Sequence, residues 1–295
     1  MNARTAAIAI DEVALSSEAA PAMQRASGNG RISVKASSGR SRLEQLYQEG
    51  AAKIRLPRNP ASPGLEAVLI NTSGGLTGGD RMAWACAAGE GTALTLTTQA
   101  CEKTYKASGD ACADVSVTLA AGAGARLCWL PQETILFDRA RLSRRLEANL
   151  AADASMLIVE PVIFGRKAMG EAVRSGIFRD RWRIRREGRL VHAEDFAIGP
   201  DIAAVLPRAA VAGHVAGQAR AFATLLLVDP GAEDRLAPAR RIVGENGGVS
   251  AWTVGETGKL LARIVAEDGY NLRKTLIPLI KLLNPGADLP KIWST

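Results

Sequence analysis

The chain has 295 residues, of which 47% are hydrophobic and only 4% aromatic, so a sizeable core must be built from Ala, Val, Leu and Ile. Its net charge of +7, carried mostly by arginine, favours acidic partners, either nucleic acid or an acidic protein surface. No stretch approaches the roughly 18 apolar residues that cross a bilayer, so we expect neither a membrane-spanning helix nor a membrane partner.

The first 30 residues are rich in Ala and Ser and carry several acids. They lack the basic start and unbroken apolar segment of a secretory signal. We therefore predict a flexible tail over residues 1–30 and a single domain over residues 31–295. The four cysteines are Cys86, Cys101, Cys112 and Cys128. Because they form no C-x-x-C pair and match no zinc spacing, they are expected to be reduced thiols of a cytoplasmic protein.

Strand patterns begin at Arg31 and recur at short intervals. Ile32–Val34 and Ala51–Leu56 alternate apolar and polar residues, and residues 57–64, rich in Pro and Gly, predict a loop. Further strands are predicted at Val68–Ile70, Asp114–Leu119, Leu142–Leu150, Phe178–Arg185, Leu190–His192 and Ala221–Val228. This half-buried alternation predicts a mainly β protein.

A weak internal repeat runs through the middle of the chain. Small-residue turns that start at Ala88, Ala121 and Ala152, at intervals of 33 and 31 residues, each lead into an apolar strand. A second alternating strand lies between successive turns. Two strands per repeat, each stacked on the next repeat, predict helically stacked β-sheets of a solenoid-like or layered kind. An ordinary β-sandwich is the alternative.

The most distinctive stretch runs from Gly74 to Asp80. Its two glycine pairs are Gly74, Gly75, Gly78 and Gly79. The spacing is not the G-x-G-x-x-G of a dinucleotide loop, and a Walker loop ends in Gly-Lys-Ser/Thr rather than in an acid that repels phosphate. The local pattern alone favours a Gly-rich hairpin turn. A nucleotide-dependent or carbohydrate-active enzyme that uses this loop is the alternative function.

Arginines alternate along the predicted strand Phe178–Arg185. Arg181, Arg183 and Arg185 share one face, and Trp182 lies on the other. Such a pattern indicates either a solvated face or a docking surface for an acidic partner. Single-strand RNA binding also needs aromatic side chains that stack on bases, and the nearby tryptophan lies on the wrong face. We therefore expect no nucleic-acid partner, although a basic RNA-binding module is a further alternative.

No strong catalytic signature occurs in the sequence. The two histidines, His192 and His214, lie far apart, and neither a G-x-S-x-G nor an H-x-x-x-H motif is present. Four acids lie beside strand ends: Glu133, Asp138, Glu160 and Glu171. Their residue type fits a glycosidase pair, but their spacing fixes no geometry. We expect a non-enzymatic protein without catalytic residues.

The clearest helix lies near the C-terminus, after a shorter one predicted within residues 233–243. Asp268 is its predicted N-cap, and Pro278 is expected to kink it. The apolar positions of this helix and of the tail beyond it are Leu272, Leu276, Leu279, Leu283 and Trp293. They predict either a docking site for a partner or dimer, or packing on the protein's own sheet.

Several short motifs follow one another in order from about residue 31 to residue 295. They are the Asn71–Asp80 loop, Thr97–Gln99 with Lys103 and Tyr105, Trp129–Phe137, Gly165–Glu171, Arg179–Trp182, Gly188–Leu190, and Leu272–Arg273 with the ending Leu289–Trp293. Each motif is modest, but together they resemble the UreD family of urease accessory proteins, also called UreH. The Asn-Thr-Ser before the first glycines is a variant of the family's more usual Asn-x-x-Gly-Gly.

The resemblance implies a fold of helically stacked β-sheets with about two helices toward the C-terminus. It implies a scaffold that helps to load nickel into apo-urease, with no tightly bound cofactor and only transient nickel. The implied partners are UreF, the GTPase UreG through UreF, and apo-urease, with a possible dimer of UreD–UreF heterodimers. The family also implies a water-filled passage through the protein. In that picture the glycine loop is a tight turn that permits close sheet packing, and Asp80 lies at the mouth or wall of the passage.

Metal chemistry limits the side chains that such a passage offers. Imidazole and thiolate bind nickel tightly, whereas carboxylates, hydroxyls, carbonyls and water release it more easily. The candidate nickel path is lined by Asp80, Glu133, Glu160 and Glu171, with Thr97, Thr98 and Gln99. Alternatively, these acids cap turns or pair with arginines such as Arg126, Arg166 and Arg179.

Overall fold

The computed structural model describes residues 24–59, 62–166, 169–211 and 219–294. The predicted tail therefore lies outside the described residues as far as residue 23. The first strand begins at Ser27, slightly before the predicted domain boundary, and the one-domain organisation stays a prediction. Among the described residues, no helix has the length and apolar character needed to cross a bilayer.

Two large sheets form the body of the protein. In spatial order, the seven-stranded sheet contains β14 (Arg189–Ile198), β13 (Ile177–Arg186), β11 (Arg141–Leu150), β8 (Ala113–Ala121), β5 (Arg81–Ala88), β1 (Ser27–Ser37) and β2 (Arg40–Gly50). The main path of the ten-stranded sheet contains β16 (Gly247–Val254), β17 (Thr257–Ala266), β15 (Ala221–Val228), β12 (Ser155–Phe164), β9 (Arg126–Trp129), β6 (Ala93–Thr98), β4 (Leu65–Asn71) and β3 (Ala52–Arg55). Its short strands β7 (Glu102–Thr104) and β10 (Thr134–Leu136) pair with each other, and β10 also pairs with β12.

The middle of the chain winds in coils that stack in parallel. Each coil contributes one strand to the seven-stranded sheet and the next strand to the ten-stranded sheet. Ala88 pairs with Ala121 in the first sheet, and Arg126 lies between Ala93 and Ser155 in the second. The predicted stacked-sheet fold is therefore confirmed, and the turn at each repeat is where the chain crosses between sheets.

The main core lies between the two sheets. Strand residues alternate between buried and outward positions, as β11 shows with buried Leu142, Leu146 and Ala148 between more exposed neighbours. Aliphatic and small side chains supply most of this interior, with Trp84, Trp129 and Trp182 as its large members. The low aromatic content is thus concentrated inside the stacked coils.

Two of the α-helices cover the other face of the ten-stranded sheet. The α-helices are α1 (Ile202–Val211), α2 (Leu236–Val243) and α3 (Gly269–Leu283), and short 3₁₀ turns occupy Glu233–Arg235, Gly244–Asn246 and Lys291–Ser294. Helices α2 and α3 pack on β15, β16 and β17. The Asp268 carboxylate caps α3 as predicted, accepting a hydrogen bond from the Asn271 N–H at 2.9 Å. Pro278 lies inside this helix.

The apolar residues of the C-terminal segment are buried in this second core. They are Leu272, Leu276, Leu279, Leu283 and Trp293, each at most 1% exposed. The Trp293 indole donates a hydrogen bond to the Leu130 carbonyl oxygen at 3.1 Å. These side chains therefore pack on the protein's own sheet, and a partner-docking role for the segment stays a prediction.

Three local features differ from the sequence expectations. Strand β2 and helix α1 were not predicted, because β2 exposes most of both faces and α1 contains Pro207. The loop Gly74–Asp80 is not a hairpin, since β4 belongs to the ten-stranded sheet and β5 to the seven-stranded sheet.

Candidate functional site

The glycine loop crosses from one sheet to the other and packs closely on the segment that follows β6. Gly75 has φ of 146°, and a Cβ atom there would lie 2.4 Å from a ring carbon of Tyr105. A Cβ atom on Gly78 would lie 2.3 Å from the Ala111 carbonyl oxygen. The glycines thus permit close backbone approach. Because the loop leads into strand β5 and not into a helix, it provides no helix N-terminus for a phosphate.

Asp80 closes this loop as a structural cap. Its carboxylate accepts hydrogen bonds from the Ala26 N–H at 2.8 Å and from the Thr77 N–H at 2.7 Å. The side chain is buried, and it lines neither of the two cavities described next. The turn-capping alternative therefore accounts for its position, and a part in a nickel path stays a prediction.

Two cavities meet beside the glycine loop. The outer cavity, of about 200 Å³, is lined by Asn71, Gly74, Gly75, Gln99, Cys101 and Lys103 among others. The inner cavity, of about 50 Å³, lies between the sheets and has room for a few water molecules. Trp84, Thr98 and Glu102 line both cavities, so these three side chains lie between the two.

A buried ionic network forms the far wall of the inner cavity. The Arg144 guanidinium donates to Asp180 at 3.0 and 2.6 Å and also to Glu160, which accepts a hydrogen bond from the Trp129 indole at 2.8 Å. Burial raises the pKa of the Glu160 carboxyl, and the charge of Arg144 opposes this shift. Since Arg144 and Asp180 lie on the seven-stranded sheet and Glu160 on the other, the network ties the sheets together across the core.

Glu102 is the site residue that sequence reasoning missed. Its two carboxylate oxygens accept hydrogen bonds from the Asn71 side-chain amide at 3.1 and 3.2 Å. Burial raises the pKa of this carboxyl to about 7, although the Asn71 hydrogen bond lowers it. The only available signal was an acid three residues after the Thr97–Gln99 motif, which by itself indicates nothing about a cavity.

Glu133 is buried beside the outer cavity and paired with the C-terminal helix. Its carboxylate accepts hydrogen bonds from Arg273 at 2.7 and 2.8 Å and from the Cys101 thiol at 3.4 Å. Burial opposes ionisation of Glu133, but the hydrogen bond and charge of Arg273 lower its pKa overall. Burial, with the charge of Glu133, raises the pKa of the Cys101 thiol to about 11, so this thiol is protonated at neutral pH.

Glu171 belongs to a separate cluster near the surface. Its carboxylate accepts hydrogen bonds from the Arg166 side chain at 2.9 Å and from the Asp138 N–H at 3.4 Å. Asp138 in turn accepts from the backbone of Arg174 and Ser175. Glu171 lines neither cavity, and part of its motif, residues 167–168, lies outside the described residues.

The structure thus brings together only some of the predicted path residues. Thr98, Gln99 and Glu160 line the two cavities, and Glu133 borders them through Cys101. Four of the predicted residues line neither cavity, namely Asp80, Thr97, Glu133 and Glu171. Within the part of the chain that the structure describes, no three His, Cys, Asp or Glu side chains cluster closely enough to hold a metal ion.

A family model described as UreD urease accessory protein matches residues 26–294. The chain belongs to the UreD family. The urease accessory protein UreD of Mesorhizobium japonicum is 56% identical over 274 residues, which cover 93% of this chain and 96% of the relative. UreD of Rhizobium leguminosarum bv. viciae is 55% identical, covering 92% and 96% of the two chains, and UreD of Agrobacterium fabrum is 55% identical, covering 92% of each.

UreD membership establishes a urease accessory role, which the resemblance had predicted. Such a role fits a non-enzymatic protein. The phosphate-binding alternative needs a helix N-terminus after the glycine loop, whereas this loop is followed by strand β5. The family motifs now have positions in the UreD fold. Several of them, including Thr97–Gln99 and Trp129–Phe137, lie around the two cavities.

Proposed function

We propose that this chain helps to load nickel into apo-urease in the cytoplasm and that the two adjoining cavities are part of the route the metal takes. The observation that supports the proposal is the shared wall of Trp84, Thr98 and Glu102, which lies between an outer polar cavity and a cavity between the sheets. A polar interior is unusual in a stack of sheets whose core is otherwise aliphatic. Family membership in the urease accessory proteins supports the same role.

The donors along this route suit transfer of a divalent cation. They are hydroxyl, amide and carboxylate groups: Thr98 and Thr134, Asn71, Gln99 and Gln132, and Glu102 and Glu160. Such oxygen donors bind nickel more weakly than imidazole or thiolate does. The one thiol on the outer cavity, Cys101, is protonated at neutral pH, and a metal must displace that proton before it binds sulfur. These side chains therefore favour release of nickel over its storage.

The route uses part of the predicted residue set and adds one residue to it. We place Thr98, Gln99 and Glu160 on the route, and we add Glu102 at the wall between the cavities. Glu160 is the deepest carboxylate, and its pairing with Arg144 lowers its capacity to retain a cation. Asp80, Thr97 and Glu171 belong to the nickel path only where it extends beyond these two cavities.

The partners follow from the family alone. We propose that the chain contacts apo-urease and UreF, that UreG is bridged through UreF, and that two UreD–UreF heterodimers pair. Because the apolar side chains of the C-terminal segment are buried, UreF docking there would use exposed neighbours such as Tyr270, which is 71% exposed. The chain would thereby act as a scaffold as well as a route.

A substitution at Glu102 tests the route. Glu102→Leu keeps much of the side-chain volume and removes the carboxylate, so we expect nickel per urease active site to fall at least about threefold when the chain is co-expressed with a urease operon. Glu90→Leu removes an exposed carboxylate from a turn and is the matched control. Nickel is measured by metal analysis of purified urease, and omission of the chain sets the lower limit.

The outcomes separate the route from the accessory role. If urease made without the chain is fully loaded, the accessory role itself is refuted. If omission lowers nickel but Glu102→Leu loads urease as the wild type does, at equal protein level, the accessory role stands and the route through these cavities is wrong.

A further inference from the structure

The outward face of the seven-stranded sheet carries an excess of positive charge. We call it the basic face and define it by the outward-pointing side chains of β1, β2, β5, β8, β11 and β13. Its principal cations are Arg31, Arg81, Arg145, Arg179, Arg181 and Arg185. Its acids are Glu44, Glu49, Asp114, Glu147 and Asp195, the last contributed by β14. The cations therefore outnumber the carboxylates.

Several of these cations have no ionic partner. Asp114 pairs with Arg145 at 3.0 Å, and Asp195 lies 2.6 Å from Arg183. No carboxylate in the described residues lies within ion-pair distance of Arg81, Arg179 or Arg185. Since the paired acids are already neutralised, these guanidinium groups leave a positive potential over the face.

The adjacent arginines in the middle of the face are paired with acids. Arg145 and Arg181 occupy directly adjacent positions on the parallel strands β11 and β13. Arg145 pairs with Asp114 at 3.0 Å, and Arg181 pairs with Asp195 at 3.7 Å. The excess positive charge of the face therefore lies on Arg81, Arg179 and Arg185.

The centre of the face is flat because its side chains are small. Ala83 and Ala85 of β5 lie beside Ser116 and Thr118 of β8 in adjacent register. Next to them, an open notch of about 380 Å³ is lined by Ser27, Asn29, Ala83 and Ser116, with Arg81 and Asp114 among its charged residues. A flat centre with a notch and flanking arginines is suited to contact with another folded protein surface, since arginine is enriched at such interfaces.

We propose that the basic face docks an acidic protein surface within the urease assembly, an inference that rests on the proposed accessory role. The unpaired cations Arg179 and Arg185 face the partner's carboxylates, and the partner's backbone approaches the small-residue centre. Charge complementarity identifies the occupant as acidic. A single-stranded nucleic acid fits less well, because few aromatic side chains are present on the face for stacking on bases.

Charge reversal on the face tests this docking. The full-length chain carrying Arg179→Glu and Arg185→Glu is compared with the wild type for binding to immobilised apo-urease, UreF and UreF–UreG from the same organism. For one of these probes, we expect the wild-type association rate constant to fall at least about tenfold between 50 and 300 mM NaCl. The double variant is expected to associate about tenfold more slowly at 50 mM NaCl and with a shallower salt dependence.

The matched control makes the same charge change elsewhere. Arg55→Glu with Arg241→Glu reverses two exposed cations, one on strand β3 and one on helix α2, which lie outside the basic face and outside the C-terminal segment. Its association rate constant is expected to stay within about twofold of the wild type, and thermal melts monitored by circular dichroism verify that both variants fold.

Three results would overturn the docking proposal. They are binding of the face variant at the wild-type rate, equal slowing by the control variant, and the absence of salt-dependent wild-type binding to every probe. A 20-base-pair DNA duplex and a single-stranded RNA form a separate arm. The face would be assigned to nucleic acid instead if the wild type bound either of them and the face variant lost this binding but still bound protein. Nickel loading through Glu102 is measured separately, so the two proposals fail independently.

Discussion

Replacing Glu102 with glutamine tests what it costs the fold to keep a carboxyl between the two cavities. The pKa of Glu102 is raised from 4.5 to about 7 by burial. Because the folded-state value lies above the unfolded-state value, the carboxyl is neutral in the folded protein near pH 5 and charged near pH 9. The wild type is therefore expected to lose stability as the pH rises from about 5 through about 7.

The magnitude follows from the shift and the surroundings of the side chain. A change from 4.5 to about 7 corresponds to about 3 kcal/mol of unfolding free energy between the low-pH and high-pH limits. Since Glu102 is only half-buried, solvent screening reduces the expected effect to about 2 kcal/mol. Glutamine keeps one of the two Asn71 hydrogen bonds, and loss of the other costs about 1 kcal/mol at every pH.

The assay is urea denaturation of wild type and Glu102→Gln at intervals from pH 5 to pH 9. The difference in unfolding free energy between the two proteins is expected to shift in favour of the variant by about 2 kcal/mol, mostly between about pH 5 and about pH 7, and to stay constant above about pH 8. Glu90→Gln, at an exposed turn, should follow the wild type at every pH. A variant whose stability ran parallel to the wild type from pH 5 to pH 9 would refute the argument that burial holds this carboxyl neutral.

Three further substitutions test other parts of the fold. Arg144→Met leaves two buried carboxylates without their shared cation, so it should lower the unfolding free energy, measured in urea, by about 3–5 kcal/mol. The control Arg145→Met removes an outward-pointing cation and should lower the unfolding free energy by less than about 1 kcal/mol. Gly78→Ala places a methyl group 2.3 Å from a backbone oxygen and should lower the unfolding free energy by about 2 kcal/mol or more. The control Gly109→Ala has open space around the new methyl group, so its unfolding free energy should stay within about 0.5 kcal/mol of the wild type. Trp293→Ala should lower the unfolding free energy by about 3–5 kcal/mol, which thermal melting detects as a lower melting temperature. An unchanged melting temperature would contradict the placement of Trp293 in the core.

The stacked sheets were predictable because their signal is local. Each coil repeats a small-residue turn and an alternating strand, so spacing alone indicated which strands become neighbours, as Ala88 and Ala121 do. Strand β2 carried no such signal. Its residues Leu43, Leu46 and Tyr47 are 37%, 40% and 46% exposed. A strand with little burial on either face shows no alternation of apolar and polar residues from which it could be predicted.

The site was harder to predict because its contacts are distant in sequence. Glu133 was recognised as an acid beside a strand end, but Arg273, which neutralises it, lies 140 residues away. The partner of Glu160 was likewise outside the arginines considered, since Arg144 reaches it only when the two sheets face each other. Glu102 had no distinguishing sequence context, because its importance comes from the position of two cavities that the fold creates.

The contact between Trp293 and Leu130 joins residues that are 163 positions apart. During synthesis, the coils from β5 to β12 can stack on one another as they emerge, because their partners are neighbours along the chain. The helical cover of the ten-stranded sheet cannot close until residue 293 has left the ribosome. Until then the outer surface around Leu130, Val159 and Leu225 is bare and apolar. The nascent protein is therefore expected to pass through a stage in which the smaller of its two cores is open to water and to chaperones.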